Sequence, residues 1–198
     1  MFQEELNSNQ EMAEKKRKDA LFERELYCHA DALYNVAVYW SRDSYLADDL
    51  VQDTFIRAYK HIDSYQIGTN AKAWLFKILR HLWINKIRDI KDNHKDIEDI
   101  AKHHHSDTGR DFGLATINNS DDFSDEVFSA LKKLSQEQQM LLLLREIEQC
   151  SYEELAEVFE VPTGTIRSRL HRVRRTLEDN LAEYAEKEGY HIKNREKK

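Results

Sequence analysis

"SYEELAEVFEVPTGTIRSRLHRVRRTL", residues 151–177, is the stretch whose reading decides the fold. Ser151 followed three residues later by Glu154 is a capping box, in which each side chain satisfies a backbone N–H at a helix start. Leu155, Val158 and Phe159 give that helix an apolar face. Pro162 then interrupts the pattern and fits at or just before the first turn of a second helix. In the second helix Ile166, Leu170, Val173 and Leu177 recur at i, i+4, i+7 and i+11 and occupy an arc of about 60°. Ser168, His171, Arg172 and Arg175 point the opposite way, and Arg167, Arg169 and Arg174 flank the stripe. A short helix, a tight turn and a basic second helix read as a helix-turn-helix.

Residues 163–177 hold five arginines and no carboxylate, although the chain as a whole carries a net charge of −7. Five like charges on one helix repel one another unless an anion compensates, and nucleic acid supplies that anion. Arginine also suits base reading, because its fork bonds guanine O6 and N7 together. The reading therefore places Arg167, Ser168, His171 and Arg172 on base edges, and Arg169, Arg174 and Arg175 on phosphates. Thr163 and Thr165, at the start of the same helix, complete the candidate set. The competing reading is a solvated charged face, which ordinarily mixes both signs of charge.

The rest of the 198-residue chain supports an all-α fold. Five glycines, one proline and no Asn-Gly or Asp-Gly pair leave few signals for hairpins. The longest uncharged apolar run is "MLLLL" at 140–144, too short to span a membrane. The first residues, "MFQEELNSNQEMAEKKRK", are polar and mixed in charge, unlike a signal peptide. Cys28 and Cys150 form no C-x-x-C and read as reduced thiols of a cytoplasmic protein. Asp92–Glu126 carries ten acids against three bases, a net −7 equal to that of the whole protein. Its periodicity is poor, so about 95–122 reads as an acidic linker between two helical domains. "VFSALKKLSQEQQMLLLLREIEQC" adds two amphipathic helices, with Ser135 capping the second.

In the N-terminal half, "DALFERELYCHADALYNVAVYWS" reads as one long amphipathic helix. "LADDLVQDTFIRAYKHI" is a second, with an acidic start that complements its dipole. After "DSYQIGTN" comes "AKAWLFKILRHLWINKIRDIK", which with Asn70 carries six bases against one acid. Ala71, Leu75, Ile78, Leu79 and Leu82 are assigned to its apolar face, and Lys77, Arg80 and His81 to the other. Basic charge beside Tyr65, Trp74, Phe76 and Trp83 suits unpaired nucleic acid, where cations track the backbone and rings meet bases. For Trp74 and Phe76 a plain core role is the better fit.

These residues resemble the bacterial sigma factors of RNA polymerase, specifically the small extracytoplasmic-function (ECF) class. The likeness rests on "ADDLVQDTFIRAYK" (47–60), "GTNAKAWLFKILRHLWINKIR" (68–88) and residues 151–177, in that order. It implies that Asp49, Gln52, Asp53, Phe55, Ile56 and Arg57 dock on the β′ clamp helices of core polymerase, although Phe55 also fits a core position. It implies that Ser64 to Asn70 capture a flipped −10 base, with Tyr65, Asn70, Lys72, Trp74, Lys77, Arg80 and His81 forming the −10 surface. His81 departs from the family, which usually carries asparagine there, and alters the contact expected at that position. Arg167, Ser168, His171 and Arg172 match the reader of the −35 element. The implied partners are core polymerase (β′ clamp helices and β flap), promoter DNA and an anti-sigma protein. The "GTNAKAWL" wording resembles members held by a zinc-containing one.

The expected organisation is a polar tail (1–19), a region 2 domain (20–94), an acidic linker (95–122), a region 4 domain (123–184) and a polar tail (185–198). The linker would thread through the basic cleft of polymerase, or mask the basic faces of the free protein. No cofactor, metal or catalytic residue is expected. His103, His104 and His105 are adjacent on a linker and cannot all converge on one ion, and no H-E-x-x-H accompanies them. A helix-turn-helix regulator working without polymerase would explain 151–177 but leave "DDLVQDTF" and the aromatic-basic helix without a purpose.

Overall fold

In the computed structural model the described residues are 2–41, 43–93 and 125–189, and the chain divides into two compact units. The expected acidic linker and His103–His105 lie outside the described residues. Among the described residues there are helices and no strand.

The N-terminal unit begins with α1 (Phe2–Leu21), so helix occupies the segment read as a polar tail. The single long helix expected next is broken. A π-helical turn (Phe22–Leu26) and a 3-10 turn (Tyr27–His29) precede α2 (Ala30–Ser41). A π turn inserts a residue and rotates the faces that follow. Here it lets Phe22 reach Phe55 and Tyr59, at ring separations of 5.5 and 5.7 Å, while Leu26 is fully buried.

Helix α3 (Ser44–Lys60) starts at Asp43, whose carboxylate accepts from the Tyr45 and Leu46 amides at 2.8 and 3.1 Å. Ala47, Leu50, Thr54 and Ala58 form its buried stripe, and the Thr54 hydroxyl donates to the Leu50 carbonyl at 2.7 Å. Thr54 thereby satisfies its one donor where water cannot. A 3-10 turn (Ile62–Ser64) and a loop lead to α4 (Ala71–Asn93). Asn70 caps α4, its amide oxygen accepting from the Ala73 N–H at 2.8 Å.

The buried face of α4 is Ala71, Leu75, Phe76, Leu79 and Trp83, joined by Ala73. Ile78 and Leu82, assigned to that face from the sequence, are only half-buried. The larger rings of Phe76 and Trp83 take the interior, and Trp83 stacks on Trp40 of α2 at 6.5 Å. Helices α2, α3 and α4 pack on one another to make this core.

The C-terminal unit contains α5 (Asp125–Lys132), α6 (Gln136–Glu146), α7 (Tyr152–Phe159) and α8 (Thr163–Lys187). Ser135 and Gln138 form a capping box at α6. Ser151 and Glu154 form another at α7, as their spacing predicts. Each box satisfies two amides that the helix itself leaves open. The α6–α7 turn carries Gln149 at φ 58°, and the α7–α8 turn carries Glu160 at φ 55°. Pro162 immediately precedes α8. Ile166, Leu170 and Val173 are buried and Leu177 half-buried, so the stripe read from the sequence is the face on which α8 packs against α5 and α6.

Candidate nucleic-acid interface

The buried stripe of α8 determines what the helix presents. Arg167, Ser168, His171, Arg172 and Arg175 are exposed, and Thr163 and Thr165 are half-buried in the first turn. Ser168 donates to the Thr165 carbonyl at 2.9 Å, and Arg172 Nε makes a long 3.4 Å contact to the Ser168 carbonyl. Both interactions are local and cheap to exchange for a base or phosphate.

Two of the five arginines are paired with carboxylates inside the domain. Arg169 donates to Glu137 in the first turn of α6 at 2.7 Å, and Arg174 donates to Glu146 at the end of α6, also at 2.7 Å. The hydrogen bond to Glu146 is the main reason the Arg174 guanidinium is held above its ordinary pKa, and a bond to the Tyr152 hydroxyl adds to it. The sequence reading looked for the compensating anion in DNA alone. For these two side chains α6 supplies it, and the phosphate role expected of Arg169 and Arg174 has a competitor within the fold. The pairs are solvent-facing, so each contributes at most about 1 kcal/mol and a phosphate can displace it.

Tyr152, the first residue of α7, was missed by the sequence reading. The guanidinium of Arg145 lies 4.8 Å from its ring centroid and that of Arg167 5.6 Å. Arg145 also donates to the Cys150 carbonyl at 2.6 Å, which ties the end of α6 to the start of α7. Cation–π contacts of this length are stabilising, and here they join α6, α7 and α8 at one ring. A tyrosine in the capping-box turn is the only sequence signal for it.

The N-terminal unit presents two further surfaces. On α3, Asp49, Gln52, Asp53 and Ile56 fall at i, i+3, i+4 and i+7 and are exposed together with Arg57. Ile56 is 46% exposed, an apolar side chain left open toward the C-terminal end of this stripe. Phe55 does not belong to it. It lies about 120° round the helix from Asp49, half-buried between Phe22 and Tyr27.

The second surface is the loop before α4. Tyr65 is buried, its hydroxyl donating to the Thr69 carbonyl at 3.1 Å and its ring 5.2 Å from that of Trp74. Burial raises the Tyr65 hydroxyl pKa above its usual value, so it stays a donor. Thr69 closes back on the Gln66 carbonyl at 2.6 Å. Gln66, Ile67 and Gly68 are left at the exposed tip, with Ile67 60% exposed and Gly68 at φ 86°, a conformation suited to glycine. Lys72, Trp74, Lys77, Arg80 and His81 are half-buried on α4, and Lys72 lies over the Phe76 ring at 5.6 Å. Tyr65 and Asn70 thus shape the loop from inside, as ring support and helix cap.

Among the described residues no group of His, Cys, Asp and Glu could hold a metal, and no helix is long and apolar enough to cross a membrane. Cys28 is exposed and Cys150 buried, both free thiols.

Comparison with known proteins assigns both units. Residues 26–93 match Sigma-70 region 2 and residues 124–177 match Sigma-70, region 4. The ECF RNA polymerase sigma factor EcfG of Rhodopseudomonas palustris is 38% identical over 135 residues, covering 66% of this chain and 68% of that protein. The chain belongs to the ECF sigma factors. The ECF sigma factor SigE of Mycolicibacterium smegmatis is 32% identical over 157 residues, 79% of this chain but only 60% of SigE's own length. Among solved structures, the sigma factor RpoE in complex with the anti-sigma factor NepR from Bartonella quintana aligns with a TM-score of 0.61 and 29% identity. That alignment covers 81% of this chain and 96% of RpoE. The two family matches cover both halves of this ECF sigma factor, which does not favour a regulator using only a helix-turn-helix.

Proposed function

We propose that this ECF sigma factor binds core RNA polymerase, reads a −35 duplex with α8, and opens and holds the −10 region with the loop before α4. The observation that carries the reading is the division of α8. Its apolar stripe is buried, its flanking Arg169 and Arg174 are held by α6, and Arg167, Ser168, His171 and Arg172 remain outward on one basic face. The exposed stripe of α3, Ile56 included, is the surface for the polymerase clamp. Extruding a base costs a few kcal/mol of stacking, and the internally bonded loop holds its shape to receive one. Promoter opening then draws on binding energy, with no ATP hydrolysis and no catalytic site contributed by this chain. An anti-sigma protein holds the free factor, by analogy with the RpoE–NepR complex. The protein works in the bacterial cytoplasm, where polymerase is.

The test is run-off transcription by core polymerase with and without this protein on a template library. Selective initiation on a subset of templates that share −35 and −10 elements is the expected result. An active core that gains no initiation from the protein refutes the proposal.

A further inference from the structure

Helix α1 lies outside the residues matched to Sigma-70 region 2, which begin at residue 26. From Asn9 to Arg17 it is exposed. Lys18, Asp19 and Leu21 in its last turn are half-buried. Lys18 Nζ meets Asp63 Oδ2 at 2.7 Å, and Arg17 reaches Asp63 Oδ1 at 3.7 Å. Asp19 Oδ1 accepts from the Tyr59 hydroxyl at 2.7 Å, and Phe22 follows with its edge against Phe55 and Tyr59. The bond to Asp63, reinforced by Glu14 at 3.2 Å, raises the pKa of Lys18, and the bond to Asp19 raises that of Tyr59. All of these contacts converge on the end of α3 and the 3-10 turn Ile62–Ser64.

That turn is the root of the loop before α4. The far end of the loop is fixed by the Asn70 cap, and its interior by the Tyr65–Thr69 and Thr69–Gln66 bonds. The near end has Asp63, whose carboxylate is held by α1. We propose that Lys18 and Asp63 are positioning residues for base capture, so that α1 is a working part of the −10 reader and not a loose extension. The inference rests on the reading of residues 64–70 as the loop that holds a −10 base. A recognition loop discriminates only when its geometry is fixed before the ligand arrives. Releasing Asp63 lets the root of the loop move while the tip keeps its own internal bonds.

The experiment uses the full chain with core polymerase, and templates with a fixed −35 element and single-base changes in the −10 element. The readout is the ratio of initiation on cognate and substituted −10 templates. Lys18→Glu and Asp63→Lys should each lower that ratio about twofold to fivefold, the range open to an exposed ion pair. The double variant Lys18→Glu/Asp63→Lys re-forms the pair in reverse and should restore it. Lys16→Ala, on the opposite side of α1, should leave it unchanged. Thermal melts of the same variants report any loss of folding, which a mere tether would also produce but which would not change the ratio. A ratio that is present in the wild type and insensitive to both single variants overturns the inference alone. So does a fall that the reversed pair does not restore. A wild-type holoenzyme indifferent to the −10 sequence would remove the reading of the loop, and the inference with it.

Discussion

Arg172→Ala and Arg169→Ala should separate two roles on one helix. Arg172 is exposed, and its guanidinium makes a long 3.4 Å contact to the Ser168 carbonyl, so it reaches a base at little cost. A bidentate arginine–guanine contact contributes about 1–3 kcal/mol of discrimination, or roughly fivefold to 150-fold between the preferred and substituted base pair. Arg169 is bound to Glu137 in a solvated pair, with side chains 33% and 52% exposed. Its loss should cost the domain under about 1 kcal/mol and leave discrimination intact. The assay is anisotropy of labelled −35 duplexes with the holoenzyme, for every single-base substitution and across a salt series. Arg172→Ala should flatten the preference at one position. Arg169→Ala should change neither the preference nor the salt slope. Each phosphate contact adds about 0.9 to that slope on duplex DNA. A fall of about that size in Arg169→Ala would show that the arginine leaves Glu137 for DNA, and would refute the division of labour. Uniform weakening by Arg172→Ala across all −35 variants would make Arg172 a phosphate contact.

Other outcomes follow from single features. Leu170→Ala removes a side chain that is 1% exposed from the contact of α8 with the rest of its unit, and should destabilise that unit by about 2–5 kcal/mol in a thermal or denaturant melt of the full chain. Ser151→Ala breaks one half of the capping box at α7 and should cost about 1 kcal/mol in the same melt. His29 is held below its ordinary pKa, by partial burial first and by Lys72 second. The folded state therefore binds fewer protons than the unfolded one. The stability this confers is complete above about pH 6.5 and is lost as the pH falls through the depressed folded value. An NMR titration of the His29 ring should show that lowered midpoint, and His29→Gln should flatten the acid limb of the stability profile.

Much of the fold was legible because it is set by local spacing. Ser151 and Glu154, Ser135, the stripe Ile166–Leu170–Val173 and the position of Pro162 each depend on residues within a few turns of one another. What escaped the sequence depends on long-range neighbours. Glu137 and Glu146 lie 32 and 28 residues from the arginines they hold, and no periodicity links them. Trp83 displaces Leu82 from the interior because Trp40 on α2 offers a ring to stack on. Phe55 turned inward because the π turn brought Phe22 and Tyr27 to it. The amphipathic pattern over residues 19–41 fits an unbroken helix, and only packing against α3 reveals the inserted turn.

The three tryptophans of the chain are Trp40, Trp74 and Trp83, and all lie in the N-terminal unit. The stacked pair of Trp40 and Trp83 joins α2 to α4 across the core, while Trp74 sits against Tyr65 at the foot of the loop. Excitation at the red edge of indole absorption therefore illuminates one unit and leaves the other dark. The emission follows the order of the N-terminal core through one pair and the state of its loop through the single ring, without a label. Circular dichroism in the same cuvette reports the helices of both units together. The protein thus carries its own readout of when its N-terminal half has engaged a partner.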